Sequence, residues 1–194
     1  LTCPGWFQIC CMFNRRLKLN TKQVPTTYKS LRVNGDWRDD ITVDLERVAH
    51  HEFLDTHGYT ASSLTPFVQS YFQMVAGNRD DYLRFVDGGL GAHKEARTYK
   101  RNTLGRAMCR SISERHLGIW LFGQVEHAMK GRMPHGLAHL HIDRVKGNAP
   151  DYISVQSRRT PVFVEAKGHK KAHGLGTDKW DAWKAQISEN VAVK

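Results

Sequence analysis

The chain has 194 residues, 40% of them hydrophobic and 25% charged, which suits one compact domain or a domain with an appendage. Its apolar runs are short, Val162-Phe163-Val164 being typical, and this excludes a membrane-spanning helix of about 20 apolar residues. Lys and Arg number 29 against 19 acids, a formal charge of +10. That excess favours a polyanionic partner, because each phosphate neutralised releases a condensed counterion; a basic but indifferent solvated surface has the same arithmetic.

The chain opens on Leu1 rather than Met, as expected of a fragment, a processed form or a trimmed chain. Residues 1–12 lack the basic start and apolar centre of a secretory signal. Cys3, Cys10, Cys11 and Cys109 follow no C-x-x-C zinc spacing and read as reduced thiols of a cytosolic, cytoplasmic protein, with a disulfide in a secreted form left open. Residues 1–35, with Pro4 and Pro25, predict loops and short strands. From Asp39 to His57, Ile41, Leu45, Val48 and Ala49 recur at helical spacing, and Gly58 supplies a stop. A second helix is expected over Leu64 to Ala76, with Phe67, Tyr71, Phe72 and Val75 on one side.

From Lys94 to Arg115 there are seven basic residues and two acids, either a solvated helix face or a face that tracks phosphates. Ser111-Ile112-Ser113-Glu114 reads as a capping box that opens a helix reaching Lys130, striped by Leu117, Leu121, Val125 and Ala128. The rest predicts strands. Residues 137–145 alternate, with His139, His141 and Asp143 on one side; with His135 they invite a zinc reading, against a plain polar strand face. Asp151 to Gln156 and Pro161 to Lys167 are two further strands joined by Ser157-Arg158-Arg159-Thr160. A Gly, His and Lys loop over 168–176 precedes a final helix from Thr177, with Trp180, Trp183 and Ile187 on its core side. The division expected is 1–105, a mostly helical portion that serves substrate grip or partner contacts, and 106–194.

Chemistry concentrates at the hairpin. Residues two apart on a strand share a face, so Glu165 and Lys167 point one way and Val162, Val164 and Ala166 the other. A three-residue loop centred on Arg158 sets Asp151 opposite Glu165; centring it on Arg159 sets Asp151 opposite Lys167. Either register gathers two carboxylates and an ammonium. Two hard carboxylates suit Mg²⁺ with positions left for water and phosphate, and a neighbouring lysine suits water and phosphate alike. The competing reading is a cross-strand salt bridge worth about 0–1 kcal/mol. His169, Lys170 and Lys171 follow closely, placed to meet phosphates or simply to be solvated.

Pro150-Asp151 followed by an apolar strand ending in Glu165-x-Lys167 resembles the PD-(D/E)xK nuclease superfamily, also called restriction-endonuclease-like. The likeness covers residues 111–190, less than half the chain, and the bare motif is degenerate. It implies an α/β fold, a restriction-endonuclease-like core with a central mixed β-sheet flanked by helices, here with a mostly helical N-terminal extension. It implies Mg²⁺ or Mn²⁺ held by Asp151, Glu165 and the carbonyl of Ala166, with Lys167 as the catalytic lysine. Glu114 matches the further acid that many members carry on the preceding helix, although the capping box explains it as well, and Gln186 matches a Gln on the following helix. Asn190 stands where an aromatic residue often follows that Gln, which weakens the Gln186 match. The function expected is therefore a metal-dependent nuclease acting on phosphodiester bonds of DNA. The alternatives are a non-catalytic nucleic-acid-binding module of the same fold and an RNA nuclease. Oligomeric state, a homodimer included, is left open, as are specificity and role, delivery to another cell among them.

Overall fold

Alternation builds the first sheet. Ile41 and Val43, each 1% exposed, are the inward positions of a strand whose other side is Asp40, Thr42 and Asp44. The structure is a computed structural model that describes residues 14–18, 32–34, 36–37, 40–58, 63–75, 81–87, 89–140, 142–144, 149–156, 160–166, 178, 182 and 191–193. It is mixed α/β, with helices and small antiparallel sheets, and no described helix is long and apolar enough to cross a membrane. The chain divides into two compact units, Leu1–Ile112 and Ser113–Lys194.

In the first unit, strand β1 (Asn14–Lys18) pairs antiparallel with β4 (Asp40–Asp44), while β2 (Arg32–Val33) and β3 (Asp36–Trp37) form a minimal hairpin. The helix expected from residue 39 begins only at 45, as α1 (Leu45–His57). The reason is Asp44, whose extended backbone and carboxylate, accepting from the N–H groups of Glu46 (3.0 Å) and Arg47 (3.4 Å), make it the N-cap. Gly58, at φ 71°, ends the helix where the sequence placed the stop. Helix α2 (Thr65–Met74) buries Val68, Tyr71 and Met74, with Phe67 and Phe72 packed partly against the same core.

Helix α3 (Lys94–Leu117) runs for 24 residues and overturns the capping-box reading. Ser111 is 4% exposed and lies well inside it, where the following N–H groups already bond one turn back, so no helix starts there. The helix stops at Gly118 (φ 67°), and the Ile119 N–H bonds the Ser113 carbonyl (3.1 Å).

In the second unit, the expected continuation to Lys130 is replaced by β5 (Phe122–Gln124) and a short α4 (Val125–Ala128). The strand expected over 137–145 is a 3₁₀ turn at His135–Leu137, followed only later by β6 (Ile142–Arg144). Pro134 and Gly136 favour that turn over an extended run. Strands β7 (Tyr152–Gln156) and β8 (Thr160–Val164) form where alternation placed them. The sheet order is β5-β7-β8, with β6 paired instead to β9 (Val191–Val193). The ladders between described strands are all antiparallel, with one isolated parallel bridge from Arg16 of β1 to Tyr82, so the mixed sheet expected is not seen among the described residues.

Both faces of β5-β7-β8 are covered. Phe122, Tyr152, Val162 and Val164 pack with Leu117 and Ile119 on one side. Ile153, Val155 and Phe163 pack with Leu121, Val125, Ala128 and Leu137 on the other. The residues that suggest a single helix face are thus split between the two sides of a sheet.

Candidate functional site

The β7–β8 ladder settles the register. Tyr152 faces Val164 and Gln156 faces Thr160, the alignment centred on Arg158. One step beyond the last rung come Asp151 and Glu165, and their carboxylates replace the backbone acceptors that a longer ladder would use. The Asp151 N–H donates to Glu165 Oε2 (2.9 Å), and the Ala166 N–H donates to Asp151 Oδ2 (2.9 Å). The Val125 N–H donates to the Asp151 carbonyl (3.2 Å), tying the same residue to the start of α4. Asp151 is therefore fixed through its N–H, its carbonyl and its side chain, with buried Pro150 before it.

Hydrogen bonds to a charged acceptor contribute roughly 1.5–3 kcal/mol each. Against that, like charges directly opposite one another on a hairpin destabilise it. Both carboxylates are half-buried and lie opposite one another by the register of the hairpin. Carboxylate oxygens are the hard ligands that a divalent cation takes, and backbone donors orient them here. With the Ala166 carbonyl, these hard oxygens fit Mg²⁺ or Mn²⁺ chemistry.

Other expected residues stand differently. Glu114 lies half-buried in the last turn of α3 rather than at a helix start. Among the described residues no three His, Cys, Asp or Glu side chains gather as a metal-binding group, so Glu114 is not brought into a triad with Asp151 and Glu165. His135 sits in the 3₁₀ turn and His139 just after it, both exposed, which removes the shared strand face that zinc binding needed. Lys167, His169, Lys170, Lys171 and Gln186 lie outside the described residues, as do Trp180, Trp183 and Ile187.

The sequence leaves the basic stretch of α3 either solvated or phosphate-tracking, and three of its seven cations are neither. Lys100 Nζ lies 2.7 Å from Glu52 Oε1, Arg106 Nε 3.1 Å from Asp55 Oδ2, and Arg110 Nη1 3.4 Å from Asp55 Oδ1. The buried Tyr71 hydroxyl donates to Glu52 Oε2, and Lys100 Nζ stands 4.9 Å from the Tyr71 ring centre. Burial, and then the Glu52 charge and hydrogen bond, hold the Tyr71 hydroxyl far above the ordinary phenol range. The signal was present in the sequence: Leu45, Val48, Glu52 and Asp55 fall on one helical face, so the two acids share the side of two buried apolar residues.

No protein-family model matches this sequence, and no curated protein and no solved structure matches it either.

Proposed function

We propose that the chain is a metal-dependent nuclease that hydrolyses phosphodiester bonds of DNA, with Asp151 and Glu165 holding Mg²⁺ or Mn²⁺ beside the Ala166 carbonyl. The observation that carries this reading is the mutual hydrogen bonding of Asp151 and Glu165 through each other's strand at the end of a buried hairpin. The α3–β5-β7-β8 order, a helix before a three-stranded antiparallel sheet, supports a restriction-endonuclease-like core, and the charge of +10 supports a polyanionic substrate.

The ion, when bound, supplies positive charge to the phosphoryl oxygens and an acidified water. The protein's part is to keep two carboxylates oriented by backbone donors, so that they need no reorganisation when charge develops. Lys167, two residues beyond Glu165, orients the attacking water and holds the phosphate. Attack in line with the departing oxygen leaves 5′-phosphate and 3′-hydroxyl ends.

The test is cleavage of supercoiled plasmid, linear duplex, single-stranded DNA and RNA in Mg²⁺, beside EDTA and Lys167→Ala controls. DNA cut by the wild type and by neither control is the expected result. Retention of DNA without any cleavage would replace this reading with a binding module, preferential cutting of RNA would make it an RNA nuclease, and cleavage surviving Lys167→Ala would move the site elsewhere.

A further inference from the structure

The sequence predicts helix and then strand for the segment 126–139 of the second unit, and its actual fold gives it a different use. Its buried residues, Val125 before it and Ala128 and Leu137 within it, pack toward Ile153 and Phe163. Its polar side chains Glu126, His127, Lys130, Arg132, His135 and His139 are all exposed. Glu126 is its one acid.

The place of this segment is fixed against the sheet. A Cβ built on Gly123 would lie 3.2 Å from Pro134 Cδ and Leu137 Cδ1 and 3.4 Å from Met133 Sδ, so the turn is seated on that strand position without room to spare. Gly123 pairs with Ile153, two residues along β7 from Asp151, a step of about 7 Å. At the other end of the segment, Val125 bonds the Asp151 carbonyl directly. By strand alternation, Asp151 and Glu165 extend the Ile153 and Phe163 face, the one this segment covers. The segment that carries these exposed cations therefore covers the sheet face that the carboxylate pair extends.

We propose that Lys130 and Arg132, flanked by His127, His135 and His139, are the surface on which the phosphate backbone of DNA rests as it meets the Asp151–Glu165 pair. The inference rests on the reading of that pair as the cleavage centre and adds the substrate grip. Charge complementarity favours this occupant: a phosphate backbone takes cations along its path, and on this segment five of the six charged or titratable side chains are basic and all are exposed. Glu126 tempers the grip through its exposed ion pair with Lys130 (2.7 Å).

The experiment is fluorescence anisotropy of a labelled duplex DNA in EDTA, where no cleavage intervenes, over a range of salt. The double variant Lys130→Ala/Arg132→Ala should bind about tenfold more weakly at 0.1 M salt and lower the salt slope by about two, close to 0.9 for each phosphate left without its cation. Glu126→Gln should bind about two- to threefold tighter, a gain that misfolding does not imitate. Wild-type affinity and slope in the double variant, an unchanged or weakened Glu126→Gln, or a wild type without salt-dependent binding would each overturn the proposal. Asp151→Asn separates the two readings: lost cleavage with intact binding is expected, whereas an unchanged grip with no cleavage in any variant would sink the nuclease and leave the rim standing.

Discussion

The two units use the same kinds of charged residue in opposite ways. In the first, acids on α1 meet cations on α3 inside the fold: Glu52 and Asp55 have side chains only 6% and 4% exposed, paired to Lys100, Arg106 and Arg110. In the second, Asp151 and Glu165 face each other and accept from backbone N–H groups, while Lys130 and Arg132 stand in solvent. Buried acids with cationic partners satisfy the demands of burial and leave little unbalanced charge for a ligand. Acids placed opposite one another and oriented by backbone donors are the arrangement on which the proposed metal site rests. A net charge spread along the sequence hides this difference; the pairing exposes it.

If the first unit's charges are structural, removing one should be expensive. Glu52→Ala strands Lys100 and the Tyr71 hydroxyl and should cost about 3–5 kcal/mol in urea unfolding. A loss below about 1 kcal/mol would mean the pair is decorative. Tyr71→Phe should be milder near neutrality, about 1–2 kcal/mol, and should reveal itself at high pH. The folded pKa of Tyr71 lies above its unfolded value, so its stabilisation is complete below about pH 10 and is lost as pH rises beyond that point. The wild type should therefore lose up to about 1.4 kcal/mol more per pH unit above 10 than Tyr71→Phe does. Parallel alkaline profiles for the two proteins would contradict the buried phenol. In the second unit the expectation is milder: Asp151→Asn keeps an oxygen for the Ala166 N–H and loses only the charge on that bond, so its stability in urea should fall by no more than about 1–2 kcal/mol.

The hairpin was legible in sequence because β-branched and aromatic residues crowd two short runs separated by a polar turn, and two registers followed from loop length alone. The choice between them is physical. Centring on Arg158 pairs the fully buried Ile153 with Phe163, whereas centring on Arg159 would oppose Ile153 to the charge of Glu165. Residues 111–130 misled because Leu117, Leu121, Val125 and Ala128 keep a helical period across a break. Gly118 and the run Ile119-Trp120-Leu121-Phe122 suit an extended chain, and short apolar runs satisfy both periods. For the α3 ion pairs the sequence marks the acids, Glu52 and Asp55 on the apolar face of α1, but not their partners, which lie 48 and 55 residues away. Of the candidate site, the sequence groups Asp151, Glu165 and Ala166 and the hairpin sets them at one end, while Glu114 lies in the last turn of α3 rather than in a helix-opening capping box.

The measurement that bears most directly on this account is the Mg²⁺-dependent rate of plasmid cleavage by Asp151→Asn, taken beside its melting temperature. The account predicts at least a hundredfold loss of cleavage in a protein that still melts cooperatively, within several degrees of the wild type. A variant that melts normally and still cuts at the wild-type rate would show that the Asp151–Glu165 pair is not where the chemistry happens.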